Sequence, residues 1–184
     1  LYLGTMEWYP NVQGLLWFIN YVMPLIAEKR PDTKLHIVGY GKPDGEFVKA
    51  VKKHQNVMFW GQQADDKWFF HGAKVFIVPL FIGAGARVKI PTAWASRVPV
   101  ASTVFAPEGL DAVDKENICM ADQPEEYAKN ILRLLEDEKF CNKIVDCAFE
   151  TLKKKYSSDI CVEKLKNAYG KIVSFHCMGD ERCE

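Results

Sequence analysis

Six short apolar runs punctuate the chain: Leu1-Tyr2-Leu3-Gly4, Leu35-His36-Ile37-Val38-Gly39, Asn56-Val57-Met58-Phe59-Trp60-Gly61, Lys74-Val75-Phe76-Ile77-Val78, Pro99-Val100-Ala101-Ser102 and Asn117-Ile118-Cys119-Met120-Ala121. Most are rich in β-branched or aromatic residues, too short for a self-sufficient helix, and bounded by glycine, proline or polar residues, which is how buried strands read. Between them the apolar spacing changes to three and four. Asn11 is expected to cap a long helix carrying Leu15, Leu16, Phe18, Ile19, Val22, Leu25 and Ile26. Pro24 removes a helical hydrogen bond to Asn20, so a kink or break is expected there. Further helices are expected over 46–54, from the Asp65-Asp66 cap through Phe70, and over 90–96. After Pro124 the pattern is helical throughout, over 125–137, 139–156 and 159–173.

Strands alternating with helices predict an α/β domain with a doubly wound, Rossmann-like parallel sheet of six strands and extra C-terminal helices. Residues 1–175 form that one domain; the tail 176–184 has no periodicity and is expected to be loosely ordered. Such sheets bind ligands outside the carboxyl ends of their strands. The glycines at the strand exits, Gly4, Gly39, Gly61 and Gly83, all fall on that edge.

One exit is chemically distinctive. Pro79-Leu80-Phe81-Ile82-Gly83-Ala84-Gly85-Ala86-Arg87-Val88-Lys89 leaves the fourth strand and enters a helix whose first turn holds Pro91. A Gly-Ala-Gly run alone is a common flexible turn. With a strand before it, a helix after it and two cations at the junction, it predicts an anion site: small residues admit a bulky group, and free N–H groups and positive charge meet it. Without an anion, two cations at a helix N-terminus oppose the dipole.

Composition narrows the partners. The 184 residues are 48% hydrophobic and 12% aromatic, which describes one globular domain. Lysine plus arginine and aspartate plus glutamate balance at 24 each, so no global field attracts nucleic acid or an acidic membrane. Six cysteines show neither metal spacing nor a disulfide framework, pointing to a reducing, cytoplasmic setting and to no metal site. No run approaches the length of a membrane span, and nothing at the start reads as a signal peptide. Lacking an initiator methionine, the chain reads as a piece of a longer protein. The four histidines stand without carboxylate partners, and Lys153-Lys154-Lys155 reads as a solvated helix end.

Pro79-Leu80, Gly83-Ala84-Gly85-x-Arg87-x-Lys89, Pro99-Val100 and Glu108-Gly109-Leu110 together resemble the donor half of the retaining glycosyltransferases of GT-B fold, the group 1 type. Gly4-Thr5-Met6-Glu7-Trp8-x-Pro10-Asn11, Leu35-x-Ile37-Val38-Gly39-x-Gly41, Val57-x-Phe59-x-Gly61 and Ala121-Asp122-x-Pro124-Glu125-Glu126 extend the likeness to residues 1–170. It implies one of two Rossmann-like halves, binding a nucleotide-diphosphate sugar as donor substrate, with no permanently bound cofactor and no obligatory metal. The partner half would bind the acceptor. Carried over, Arg87 and Lys89 face the diphosphate as the catalytic cations, the amides of Gly83, Ala84, Gly85 and Ala86 line its passage, and Gly4-Thr5 approach it from the first strand. Gly39-Tyr40 and Gly61-Gln62 border the nucleobase, and Glu108-Gly109 close the sugar side.

The chain departs from the pattern at Ala84 and Thr92, where many relatives carry glutamates. A threonine hydroxyl cannot grip a ribose diol as a carboxylate does. Two other readings therefore stay open: a nucleotide-sugar binding module without catalysis, and a GT-B-like sugar-nucleotide epimerase.

Overall fold

The computed structural model describes residues 1–83, 85 and 87–177, with the backbone alone over 171–177. Ala84, Ala86 and tail residues 178–184 lie outside the described residues.

All six strands form: β1 (Tyr2–Leu3), β2 (Leu35–Val38), β3 (Val57–Phe59), β4 (Phe76–Val78), β5 (Val100–Ser102) and β6 (Cys119–Met120). They build two three-stranded parallel ladders, ordered β1-β2-β3 and β4-β5-β6. The ladders meet edge to edge where the Leu1 nitrogen donates to Val75 O (2.8 Å) and Ile77 N donates to Leu1 O (2.9 Å). The spatial order is therefore β3-β2-β1-β4-β5-β6, and the direction of winding reverses between β1 and β4. In open α/β sheets that reversal opens a crevice at the carboxyl ends of the two strands.

Alternate strand residues feed opposite faces, as a period of two requires. Tyr2, Ile37, Ile77, Ala101 and Cys119 pack on one side under α1 (Tyr9–Trp17), α2 (Met23–Lys29), α3 (Gly45–Lys53) and α6 (Pro124–Glu136). Leu3, Phe76, Val78, Val100 and Met120 pack on the other against α4 (Lys67–Gly72), α5 (Lys89–Ala95) and α7 (Glu138–Tyr156). The sheet is covered on both faces, so its strands are continuously apolar rather than alternating. Last comes α8 (Ser158–Cys177), longer than the periodicity predicts.

The first long helix differs from expectation in two instructive ways. Its cap is Trp8, not Asn11, which lies inside α1 and is buried. Pro10 can occupy the first turn because the donors there are unpaired anyway, and this starts the helix three residues early. The break expected at Pro24 takes the form of a π-helical turn, Phe18–Val22, before α2 begins at Met23. Widening the turn lets Pro24 sit in the first turn of a new helix, where its missing N–H costs least. Elsewhere Asp44 caps α3 through Phe47 N (2.7 Å), and Asp137 caps α7 through Phe140 N (2.9 Å). The Lys153–Lys155 run is exposed in the last turn of α7, paired with Glu150 and Asp111.

One glycine determines how α1 seats on the sheet edge. A Cβ at Gly14 would lie 1.6 Å from the carbonyl oxygen of Pro79, so α1 rests directly on the backbone that begins the β4–α5 loop. Substituting Gly14→Ala forces helix and loop apart, and the expected cost is about 1–3 kcal/mol. Urea denaturation of the two proteins measures it; equal midpoints and equal slopes would refute this account of the seat.

Candidate functional site

Two cations converge at the crevice between β1 and β4. Arg87 and Lys89 lie at the end of the loop that leaves β4, with Lys89 as the first residue of α5 after Val88. The helix runs only seven residues, so its dipole is a minor contributor and the side chains carry the positive charge.

Arg87 is 6% exposed. Its guanidinium donates to Gly85 O and lies over the Phe105 ring, 5.4 Å from the centroid, while its Nε has no hydrogen-bond partner among the described residues. The loop closes around it: a Cβ at Gly83, where φ is 131°, would come 3.3 Å from Arg87 Nη2 and 2.8 Å from the Trp8 ring. No L side chain suits that dihedral or that space.

Lys89 crosses to the other ladder. Its ammonium donates to Tyr2 Oη and to Asn11 Oδ1, each at 3.3 Å, and stands 4.6 Å above the centroid of the Tyr2 ring. It also lies 3.0 Å from the position a Cβ would take on Gly4, so the glycine exit of β1 is what lets the ammonium in. Burial pushes the Lys89 ammonium down to about 8, and the nearby Arg87 guanidinium adds to the effect. Burial holds the Tyr2 phenol far above its ordinary range, so it meets the ammonium as a neutral oxygen. Among the described residues, no ion pair involves Arg87 or Lys89.

The remaining expected residues fall into two groups joined by Lys89. Gly4 N donates to Val38 O (3.1 Å), Gly39 N to Gly61 O (2.9 Å), Thr5 Oγ1 to Tyr40 O (3.2 Å) and Met6 N to Tyr40 O (2.7 Å). These bonds tie the exits of β1, β2 and β3 into one rim, with Tyr40 and Gln62 exposed on it. On the other side Phe105 carries the 103–109 loop up to Arg87, and Glu108 N bonds back to Phe105 O (3.2 Å). Glu108 and Gly109 are exposed at the end of that loop. Thr92 is exposed, and its hydroxyl donates to Val88 O one turn back (2.8 Å), which spends its single proton inside the helix. Ala84 and Ala86 lie outside the described residues.

Tyr2, Asn11, Trp8 and Phe105 touch the site without having been read as part of it. For Tyr2 the strand pattern concealed the hydroxyl; for Asn11 the capping rule offered a simpler role. His36 is a packing residue, stacked on Trp60 and accepting from its indole N–H at 3.0 Å, and His71 bonds Lys67 O. A second cavity, of about 670 Å³, is lined by Leu1, Lys34 and Lys74, the residues that enter β1, β2 and β4, and lies away from the two cations. Among the described residues, no cluster of histidine, cysteine or carboxylate side chains is disposed to hold a metal, and no helix is long and apolar enough to cross a membrane.

Comparison with known proteins follows the same outline. The sequence profile described as "Glycosyl transferases group 1" matches residues 1–137. An uncharacterised 44.6 kDa protein of the cps region of Klebsiella pneumoniae is 27% identical over 164 residues, which is 86% of this chain and 42% of that protein. The chain thus spans less than half of this relative. A TarM mutant of S. aureus, crystallised in complex with Fondaparinux, alpha-GlcNAc-glycerol and UDP, superposes with a TM-score of 0.74 at 20% identity, covering 90% of this chain and 34% of that one. The C-terminal domain of the glycosyl transferase group 1 protein LpcC from Francisella tularensis superposes with a TM-score of 0.72 at 19% identity, covering 85% of each.

The electrostatics give a testable pH dependence. Lys89 is charged below about 8 and neutral above it, so an anion held by this ammonium is expected to bind fully on the acid side and less as pH rises through that value. Inorganic sulfate, whose charge is constant over this range, should bind several-fold more weakly at high pH, and Lys89→Met should flatten the profile. A flat profile in the unaltered chain would exclude Lys89 as the titrating group.

Proposed function

The chain belongs to the glycosyl transferases group 1 family, and from that premise we propose that it is the donor-binding half of a nucleotide-sugar-dependent glycosyltransferase. The observation that carries the reading is the pair Arg87 and Lys89, brought together at the β1–β4 crevice and surrounded by neutral groups. Burying positive charge in this way is costly unless an anion completes the site. The diphosphate of a nucleotide sugar fits that need. Its oxygens meet Lys89 beside Gly4 and Arg87 beside Gly83, and the rim formed by Gly39, Tyr40 and Gly61 takes the nucleoside.

In the reaction the sugar leaves the diphosphate, and negative charge grows on the departing oxygen. Two cations fixed in advance stabilise that charge without reorganising when it forms. Transfer proceeds with retention of anomeric configuration, as the sequence resemblance implies. The acceptor and any proton-accepting group come from a second, N-terminal half, in keeping with the fraction of its relatives that this chain spans. The free thiols of Cys119, Cys141, Cys147 and Cys161 suit a reducing, cytoplasmic setting.

Thr92 favours a second reading. With its only hydroxyl proton spent on Val88 O, it grips a ribose less firmly than a carboxylate, as expected of a non-catalytic binding module that has kept the fold and lost part of the donor site. Calorimetric titration of this chain with UDP, GDP, ADP and their sugar conjugates separates the two from an absence of binding. One nucleoside diphosphate should bind, and Arg87→Ala or Lys89→Ala should each weaken it roughly tenfold or more. A folded chain that binds none of them overturns the donor reading. Sugar transfer by the full-length protein then distinguishes enzyme from module.

A further inference from the structure

Asn11 is 3% exposed, the interior position of α1 where an apolar side chain would be expected. Its amide spans two demands. Nδ2 donates to Thr5 O at 2.8 Å, and Oδ1 accepts from the Lys89 ammonium at 3.3 Å. The orientation is dictated by chemistry, since a carbonyl can only accept and an ammonium can only donate. A buried amide is tolerable when both of its ends are used in this way.

No other side chain of this size does the same. A carboxylate at position 11 would set oxygen against the Thr5 carbonyl and neutralise Lys89, while a leucine would take away the Thr5 carbonyl's donor and leave the ammonium with Tyr2 Oη as its remaining acceptor. Lys89 has three donors; Tyr2 Oη and Asn11 Oδ1 accept two, which directs the third toward the crevice beside Gly4. We propose that Asn11 is a positioning residue of the anion site, a neutral acceptor that aims the Lys89 ammonium at the crevice and leaves its charge uncompensated. What the ammonium finally meets rests on the donor reading above; the coupling between Asn11 and Lys89 does not.

The groups facing that ammonium are Tyr2 from β1, Asn11 from α1 and Arg87 from the β4–α5 loop, and only Lys89 among them changes charge near pH 8. The test follows the Lys89 ε-carbon by NMR through a pH titration of this chain, unaltered and as Asn11→Asp and Asn11→Leu, beside calorimetry with ADP, GDP, UDP and their sugar conjugates. Asn11→Asp keeps the shape and should move the Lys89 midpoint up by about one pH unit. It should also weaken the nucleotide that the unaltered chain binds by roughly tenfold. Asn11→Leu should move the midpoint down. If Asn11→Leu fails to fold, the aspartate variant decides alone.

An unmoved Lys89 midpoint in folded Asn11→Asp overturns the proposal, whatever the nucleotides do. Unchanged nucleotide affinity in that variant overturns it as well. If the unaltered chain binds none of the three nucleotides or their sugar conjugates while the midpoint moves as expected, the donor reading fails and the coupling stands.

Discussion

Positive charge held among neutral groups is the constraint on which the rest of this site depends. Arg87 is met by a carbonyl and an aromatic face, and Lys89 by a phenol, an amide and a second aromatic face. Each of these partners is weaker than a carboxylate, and each leaves the charge intact. The isolated chain bears the cost. Lys89 holds its proton less well in the folded state than its ordinary value of 10.5 allows, so between about 8 and 10.5 the unfolded chain binds more protons and stability rises with pH. A residue selected for stability alone would behave in the opposite sense. An anion reverses the balance by restoring the ammonium's hold on its proton.

Much of this was legible from residue order. Strand positions, their parallel arrangement and the glycine exits followed from apolar runs too short for helices, mostly rich in β-branched or aromatic residues and bounded by glycine, proline or polar residues, with helical spacing between them. The loop from Pro79 to Lys89 announced its chemistry through its cations. What stayed hidden depends on contacts between distant segments. Asn11 carries an ordinary capping residue's signature, and only the crossing of Lys89 from one ladder to the other shows why an amide is buried there. Tyr2 reads as one more strand aromatic until the ammonium is placed above it. Gly14 gives no sign in sequence that Pro79 O occupies the space of its missing side chain. The helix break near Pro24 was visible, but its form as a π turn was not, since proline removes a hydrogen bond without specifying how the chain adjusts.

Family membership rests on most of the chain rather than on the crevice alone. The profile match covers residues 1–137, which includes every element that reaches the crevice. Beyond it, α7 completes the second helical layer by packing on α5, so a segment outside the matched region still supports the helix that presents Lys89. Low identity to the superposable structures goes with this division. The backbone plan is shared at 19–20% identity.

The line where the two ladders abut has a mechanical meaning. Within each ladder the strands pair in register, whereas among the described residues β1 and β4 are joined by the two hydrogen bonds of Leu1. That line is a seam. Gly4, Tyr2 and Asn11 stand on one side of it and Gly83, Arg87 and the Lys89 backbone on the other, so the ammonium already works as a stitch across the gap. A ligand grasped from both banks would act as a rivet, resisting shear between the half-sheets where the backbone resists it least, and its departure would return that compliance to the sheet.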